Sequence, residues 1–230
     1  MTLNEATYRI LSVYRAKHKI TDNVSTRLVK SWINSVRALL VKQKLDTIIS
    51  PIDEALLQSL GPVELEEVDS SIFPDIPTDK RMKRTIEDIP HPVMRRGDIP
   101  ALVRVGPADR LEHRFKVVNY ETALYSGFGK FNSKDIYAFY LDTKVYFIGK
   151  DLNYFKQLQY VDIRGIFQDP FKAARFTDPD FGDDSPYPVS SDLFERIEKY
   201  IMDYKLPAVI AGVADETANE RDDIVNLPQE

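Results

Sequence analysis

Prolines constrain the middle of this chain more than any other feature of its sequence. Six of them fall between Phe73 and Pro107, and a proline inside a helix removes a hydrogen bond and clashes with the preceding turn. The segment is therefore predicted to consist of extended pieces and loops, with one short strand at Ala101–Val105. Just before it, a loose alternation of apolar and polar residues from Val63 to Val68 predicts another strand.

Two helices are predicted on the N-terminal side of this region. Thr2 and Glu5 have the spacing of a capping box, which predicts a helix over about Leu3–Ala16. Ser25 has the character of an N-cap and precedes apolar residues at helical spacing. A second helix is therefore expected to run from Ser25 to about Lys44.

Shorter helical signals follow, one in the first third of the chain and one near its end. Pro51 fits the first turn of a third, short helix, which Gly61-Pro62 is expected to end. Asp192 is a candidate cap for a last strong helix over about Leu193–Tyr204, with an extension after Pro207.

The clearest hairpin signal lies between residues 136 and 149. Ile136–Leu141 and Lys144–Gly149 are rich in aromatic and β-branched residues, and only Asp142-Thr143 separates them. Tyr160–Phe167 predicts a further strand.

Together these signals predict an α+β fold: an N-terminal helical hairpin and a C-terminal helix around a small antiparallel β domain. The expected divisions are an N-terminal helical region at 1–60, a β-rich domain with long proline-rich loops at 61–190, a C-terminal helical segment at 191–213, and an acidic tail at 214–230 that orders on binding.

Charge is divided unevenly along the chain. Residues 1–45 carry nine lysines and arginines against two acids, whereas residues 178–230 carry fourteen acids against four basic residues. Opposite charge at the two ends suits attraction between copies of one chain, or contact with two different partners. The division therefore favours an assembly or binding role.

Residue chemistry does not favour catalysis. The chain has no cysteine and three well-separated histidines, and it has no nucleophile elbow or zinc-binding motif. We therefore predict a protein that is not an enzyme and that has no catalytic, cofactor-binding or metal-binding residues. The acidic loop at residues 178–184 lacks the ligand spacing of an EF-hand and is interpreted as a solvated turn or a docking loop for a basic partner. A metal-dependent hydrolase using Asp180 and Asp183 remains a less favoured hypothesis.

Recurring charges through residues 1–30 predict no secretory signal, and no stretch of about 18 uncharged apolar residues is present to cross a membrane. The residues predicted to contact protein partners are charged. They are Arg27, Lys30, Arg37, Arg81, Arg84, Asp180, Asp183 and Asp184. An alternative is a nucleic-acid-contacting accessory protein, which would use the basic second helix and the basic residues 80–84.

Several phrases, taken in order, resemble one family. They are Ser31-Trp32-Ile33 with Arg37-Ala38-Leu39-Leu40, the run from Leu60 to Asp69 (LGPVELEEVD), Arg104-Val105-Gly106-Pro107, the run from Arg164 to Pro170 (RGIFQDP), and the run from Asp183 to Pro188 (DDSPYP). In this order they are similar to a virion structural protein of crAss-like bacteriophages, across roughly residues 25–210.

The resemblance implies a non-enzymatic, ring-forming component of the phage neck or tail, of the head–tail connector type, through which DNA passes. Such rings are cyclic and commonly dodecameric. The implied partners are copies of the same chain, the portal, neighbouring neck or tail ring proteins and, weakly, packaged DNA, with no cofactor and no membrane. The implied location is the virion, with assembly in the cytoplasm of the bacterial host.

Overall fold

The computed structural model describes residues 1–18, 24–47, 52–69, 73, 80–108, 114–125, 135–150 and 153–207. Its helices are α1 (Leu3–His18), α2 (Thr26–Thr47), α3 (Tyr120–Leu124), α4 (Asn153–Gln157), α5 (Pro170–Arg175) and α6 (Ser191–Tyr200); α6 continues as a π-helical turn, Ile201–Lys205, and a 3-10 turn occupies Glu54–Leu56. Its strands are β1 (Gln58–Val68), β2 (Lys80–Thr85), β3 (Met94–Arg95), β4 (Ile99–Pro100), β5 (Leu102–Pro107), β6 (Lys116–Val117), β7 (Tyr137–Leu141), β8 (Lys144–Lys150) and β9 (Tyr160–Gly165).

Seven of these strands form one sheet, in the order β5-β9-β1-β2-β8-β7-β6, and β3 pairs with β4 separately. Every neighbouring pair in the large sheet is antiparallel except β6 with β7, which is parallel. The two edges approach each other, since the Phe115 N–H beside β6 donates to the Val105 carbonyl of β5 at 2.8 Å. The sheet is therefore mixed and curls into a nearly closed, barrel-like form.

This sheet overturns the predicted fold class. The expectation was a small antiparallel β domain surrounded by an N-terminal helical hairpin and a C-terminal helix; that expectation was wrong. The sheet is large, and it accepts a parallel edge strand. The two-residue strand β6 is too short to leave an alternating pattern in the sequence. The sequence therefore did not predict the parallel pairing of β6 or the near-closure of the sheet.

Three groups of buried side chains hold the molecule together. The first lies among α1, α2 and α6 and includes Ile10, Ile33 and Ile197. The second joins strands with α4 and includes Phe147 and Phe155. The third is an aromatic cluster where Phe139 stacks on Tyr146 at 5.3 Å, and α3 and Phe73 pack against it.

The N-terminal helices form as their end signals predict. In α1 the Thr2 N–H donates to Glu5 Oε2 and the Glu5 N–H donates to Thr2 Oγ1, which completes the capping box. In α2 the Leu28 N–H donates to Ser25 Oγ at 3.2 Å. Both predicted starts are confirmed, and each helix ends two or three residues beyond its predicted end.

Gly61-Pro62 does not end a helix, contrary to prediction. The predicted third helix is only the 3-10 turn, and Gly61 and Pro62 lie inside β1, at an irregularity in its pairing with β9 between Ser59 and Pro62. Gly61 has a φ of +70°, a conformation that glycine adopts without a steric penalty and that lets the strand bulge.

The β7–β8 hairpin is confirmed. Asp142 and Thr143 form its turn with φ values of 47° and 67°, as a two-residue connection with a right-handed strand twist requires. β9 is also confirmed within the predicted segment Tyr160–Phe167. Residues 70–72 and 208–230, which include the predicted tail, lie outside the described residues.

Candidate assembly surfaces

The end of the acidic loop at residues 178–184 and the residues after it, Asp183–Pro188, contact the start of the chain and α2. Lys30 Nζ lies 2.6 Å from Asp183 Oδ2, and Asn4 Nδ2 donates to Asp184 Oδ1 at 2.6 Å. The Tyr187 N–H donates to the Met1 carbonyl at 3.0 Å. We refer to Asp183–Pro188 as the clasp, because it holds the start of α1 and the middle of α2.

Arg37 of α2 is completely buried and bonds to Pro188, the last residue of the clasp. Its Nε donates to the Pro188 carbonyl at 2.9 Å, and its Nη1 donates to the Phe167 carbonyl at 3.0 Å. Burial lowers the pKa of Arg37, while Tyr187 and Asp169 act in the opposite direction. Arg37 therefore joins α2, the clasp and the end of β9 inside one subunit.

Opposite charges from the two ends of the chain meet at a second place. Arg9 of α1 lies 2.9 Å from Glu198 of α6, and its guanidinium lies over the Phe194 ring at 5.3 Å. Together with the Lys30–Asp183 pair, this contact compensates part of the charge division within one subunit.

The basic residues 80–84 form strand β2 rather than a loop. β2 pairs with β1, where Glu66 lies opposite Arg84 and Glu67 opposite Lys83. Arg84 forms an ion pair with Glu66, and Arg81 lies 3.7 Å from Glu67. Because opposite charges face each other across the two strands, these cations contribute to sheet pairing.

Lys83 is a buried cation of this strand. Its Nζ donates to the carbonyls of Lys156 and Leu158 at 2.9 and 2.7 Å, and burial lowers its pKa. The sequence shows only that the residue is basic; its burial depends on α4 arriving from elsewhere in the chain.

The remaining candidate residues lie at the surface. Arg27 is exposed on the first turn of α2, and no described acid lies within ion-pair distance of it. Asp180 is exposed in the acidic loop. The structure thus brings Lys30, Asp183 and Asp184 together at the clasp, buries Arg37 beside it, and leaves Arg27 and Asp180 open to solvent.

A cleft that the sequence analysis did not identify opens beside α5. Its volume is about 620 Å³, and it is lined by residues 88–91, by Tyr140 and Thr143 of the β7–β8 hairpin, and by residues of the 168–176 segment. We call it the α5 cleft. The rings of His91 and Tyr140 lie 5.1 Å apart, and burial, followed by the charges of Asp88 and Asp142, raises the pKa of Tyr140.

The Asp88 carboxylate and the α5 cations lie on different walls of the α5 cleft, whereas Asp169 lies on the same segment as the cations. On one wall the Asp88 carboxylate accepts a hydrogen bond from Thr143 Oγ1 at 3.0 Å. On the other, Lys172 and Arg175 project from α5, and Asp169 caps that helix by accepting from the Phe171 and Lys172 N–H groups. No sequence signal could have revealed this cleft, because three distant segments build it.

The described part of the chain contains no group of three or more His, Asp and Glu side chains placed to hold a metal ion. Among the helices of the described ranges, none is long and apolar enough to span a bilayer.

Comparison with known proteins places the chain in a class and then in a family. The class is that of virion structural proteins from phage tails: a family model described as phage tail ring protein 2 matches residues 5–224. The chain therefore belongs to the tail ring protein 2 family of crAss-like phages. No curated protein matches the chain. The resemblance inferred from the sequence phrases is thus confirmed.

Proposed function

We propose that this protein is a non-enzymatic subunit of an oligomeric ring in the neck or tail of the virion, of the head–tail adaptor type, and that DNA passes through the ring. The observation that carries the proposal is the family match, which extends over residues 5–224 and therefore over nearly the whole chain. The proposed ring contains twelve copies and contacts the portal and adjacent ring proteins.

Ring closure requires two different faces of each subunit to meet. The exposed candidate residues are suitable for such a heterologous contact, because Arg27 lies on α2 and Asp180 lies in the acidic loop. We assign these two residues to the contact between copies. Arg37 supports the contact indirectly, since its buried hydrogen bonds hold α2 against the clasp.

Contact with packaged DNA is a minor part of the proposal. Arg81, Arg84 and Lys30 have acidic partners within the same chain, so fewer cations remain for phosphate than their number in the sequence indicates. A nucleic-acid-binding role without ring formation therefore has less support than a structural role.

The test combines imaging of particles with solution measurements on the full-length protein. Electron microscopy of purified virions should show this chain as a closed ring in the neck or tail, and light scattering of the purified protein should detect an assembled species. Arg27→Glu and Asp180→Lys should each reduce that species, and combining them should restore part of it.

The matched controls are Arg15→Glu on α1 and Asp203→Lys on the π-helical turn, both at exposed positions. If the control variants reduce assembly as much as the test variants do, Arg27 and Asp180 have no specific role in the contact between copies. Virions that carry the protein outside any ring would contradict the proposed function itself.

A further inference from the structure

Two cations of the α5 cleft have no acidic partner among the described residues. Lys172 and Arg175 are exposed, and neither forms an ion pair with an acid in the described ranges; Arg175 donates only its Nε, to the Phe181 carbonyl at 3.0 Å. The two carboxylates that line the cleft already accept other donors, since Asp169 caps α5 and Asp88 accepts from Thr143. Lys172 and Arg175 can therefore form ion pairs with carboxylates of a segment that binds in the cleft.

Apolar surface lies between the two charged walls. Ile89, Pro90 and Phe176 line the cleft, so an occupant that combines carboxylates with small apolar side chains fits it. Asp88 is exposed and accepts from Thr143 through Oδ1, so its other carboxylate oxygen can accept a positive charge on the same occupant. The cleft thus fits a mainly acidic peptide that has apolar residues and one cation.

The chain contains one segment of this chemistry outside the described residues. Residues 214–230 include six acids and a single basic residue, Arg221, and near their end they carry the apolar residues Ile224, Val225 and Leu227. The family match reaches residue 224, so most of the segment belongs to the unit that the family shares.

The connection is long enough for the segment to leave its own subunit. The last described residue is Pro207, and the six residues before 214 span up to about 20 Å when extended. The seventeen residues that follow add up to about 55 Å. A segment with that total reach can extend from its own subunit onto a copy in direct contact with it.

We propose that residues 214–230 of one copy bind in the α5 cleft of a neighbouring copy, with acidic side chains on Lys172 and Arg175, apolar side chains against Phe176, and Arg221 toward Asp88. The inference rests on the proposed function, because it requires neighbouring copies in an assembly. It names the partner of the cleft as a second copy of this chain.

The test uses full-length protein, half of it labelled with heavy isotopes, mixed as subunits before assembly. The assembled fraction is treated with a carbodiimide, which joins an amine directly to an adjacent carboxylate, and is analysed by mass spectrometry. We expect linked peptides that pair Lys172 of one isotope with residues 215–230 of the other. Lys42, which is exposed on α2, should not form this link.

Charge reversal provides a readout that does not depend on the linking chemistry. Lys172→Glu with Arg175→Glu should weaken assembly by at least about fivefold, the effect of losing one hydrogen bond of ordinary strength. Asp222→Lys with Asp223→Lys in the same chain should recover it. Lys42→Glu is the control and should leave assembly unchanged.

Three other outcomes overturn the inference. Links between Lys172 and the segment within one isotope only would mean that the segment covers the cleft of its own subunit. An assembled fraction without these links would remove the segment from the cleft and leave the ring intact. If no assembled species forms at all, the result contradicts the proposed ring formation, and with it the inference that depends on neighbouring copies.

Discussion

Arg37 illustrates how a residue that looks like a surface cation acts inside the fold. Its sequence neighbours on α2 include several lysines and arginines, but Arg37 lies four residues from both Ile33 and Val41, which places it on the buried face of the helix. Its burial follows from two main-chain carbonyls, those of Phe167 and Pro188, which need a donor in an apolar environment.

Arg37→Ala should lower the free energy of unfolding by about 3 kcal/mol, because two buried carbonyls lose their donor and a cavity forms. Arg37→Met fills the volume without the hydrogen bonds and should recover only part of this loss. Urea unfolding of the purified protein measures both. Arg27→Ala, at an exposed position of the same helix, should change stability by less than about 0.5 kcal/mol; an equal loss there would contradict the assignment.

Position 165, at the end of β9, requires glycine because neighbouring atoms leave no room for a Cβ, and not because of its φ angle. A Cβ added there would lie 2.8 Å from Leu102 Cδ2 and 2.9 Å from the Ala101 carbonyl. Gly165→Ala should therefore destabilise the protein by about 1–3 kcal/mol, as overpacked positions do.

Gly182→Ala is the control for this prediction, since a Cβ added there would lie 3.8 Å from the Asp180 carbonyl oxygen, an ordinary contact distance. Thermal unfolding should show a lower midpoint for Gly165→Ala alone. A normal midpoint would mean that β5 and β9 separate locally without loss of stability.

At the scale of elements, the clasp joins pieces that are far apart in the chain. Its contacts with α1 and α2 include one ion pair, Lys30–Asp183, whose side chains are 25% and 44% exposed. Partial exposure limits the strength of such a pair, because solvent screens it.

A double-mutant cycle on Lys30→Ala and Asp183→Ala should give a coupling free energy of about 0.5–1 kcal/mol that falls as salt is added. The Arg81–Glu67 pair is the comparison, since its atoms are 3.7 Å apart and both side chains are more exposed. Its coupling should be near zero. Equal coupling for the two pairs would show that the clasp adds nothing beyond ordinary surface charge.

Elements with strong local signals could be predicted from the sequence, and elements that depend on distant partners could not. The capping box of α1 and the Asp142-Thr143 turn act through neighbouring residues, so their patterns are visible. β2 was missed because four of its six residues are cations, which are poor indicators of a buried strand. The partners of these β2 cations come from elsewhere in the chain: Glu66 and Glu67 of β1, and main-chain carbonyls near α4.

The candidate site was predicted less well than the helices, for the same reason. Lys30 and Asp183 were both selected as charged contact residues, but their mutual distance depends on how the clasp crosses α2. The α5 cleft, built from three separate segments, has no signature in any one of them.

At the scale of the whole molecule, the net charge of −5 and the internal ion pairs predict weak binding to nucleic acid. The isolated protein should bind a short duplex with a Kd weaker than about 100 μM at physiological salt, the weak limit of non-specific binding. Fluorescence anisotropy of a labelled duplex measures this. Micromolar binding with a steep salt dependence that Arg27→Ala reduces would contradict it and would favour the nucleic-acid alternative.

The clasp also has a consequence for synthesis. Residues at the start of α1 bond to residues much later in the chain; Asn4, for example, bonds to Asp184, 180 positions further on. A nascent chain cannot complete the packing of α1 and α2 until the ribosome has released almost all of it, since domains fold as units only when their distant contacts are available. Fragments that terminate early therefore lack the finished helical side of the molecule. Only complete subunits present that surface, and this favours their selection over broken ones when a virion is built.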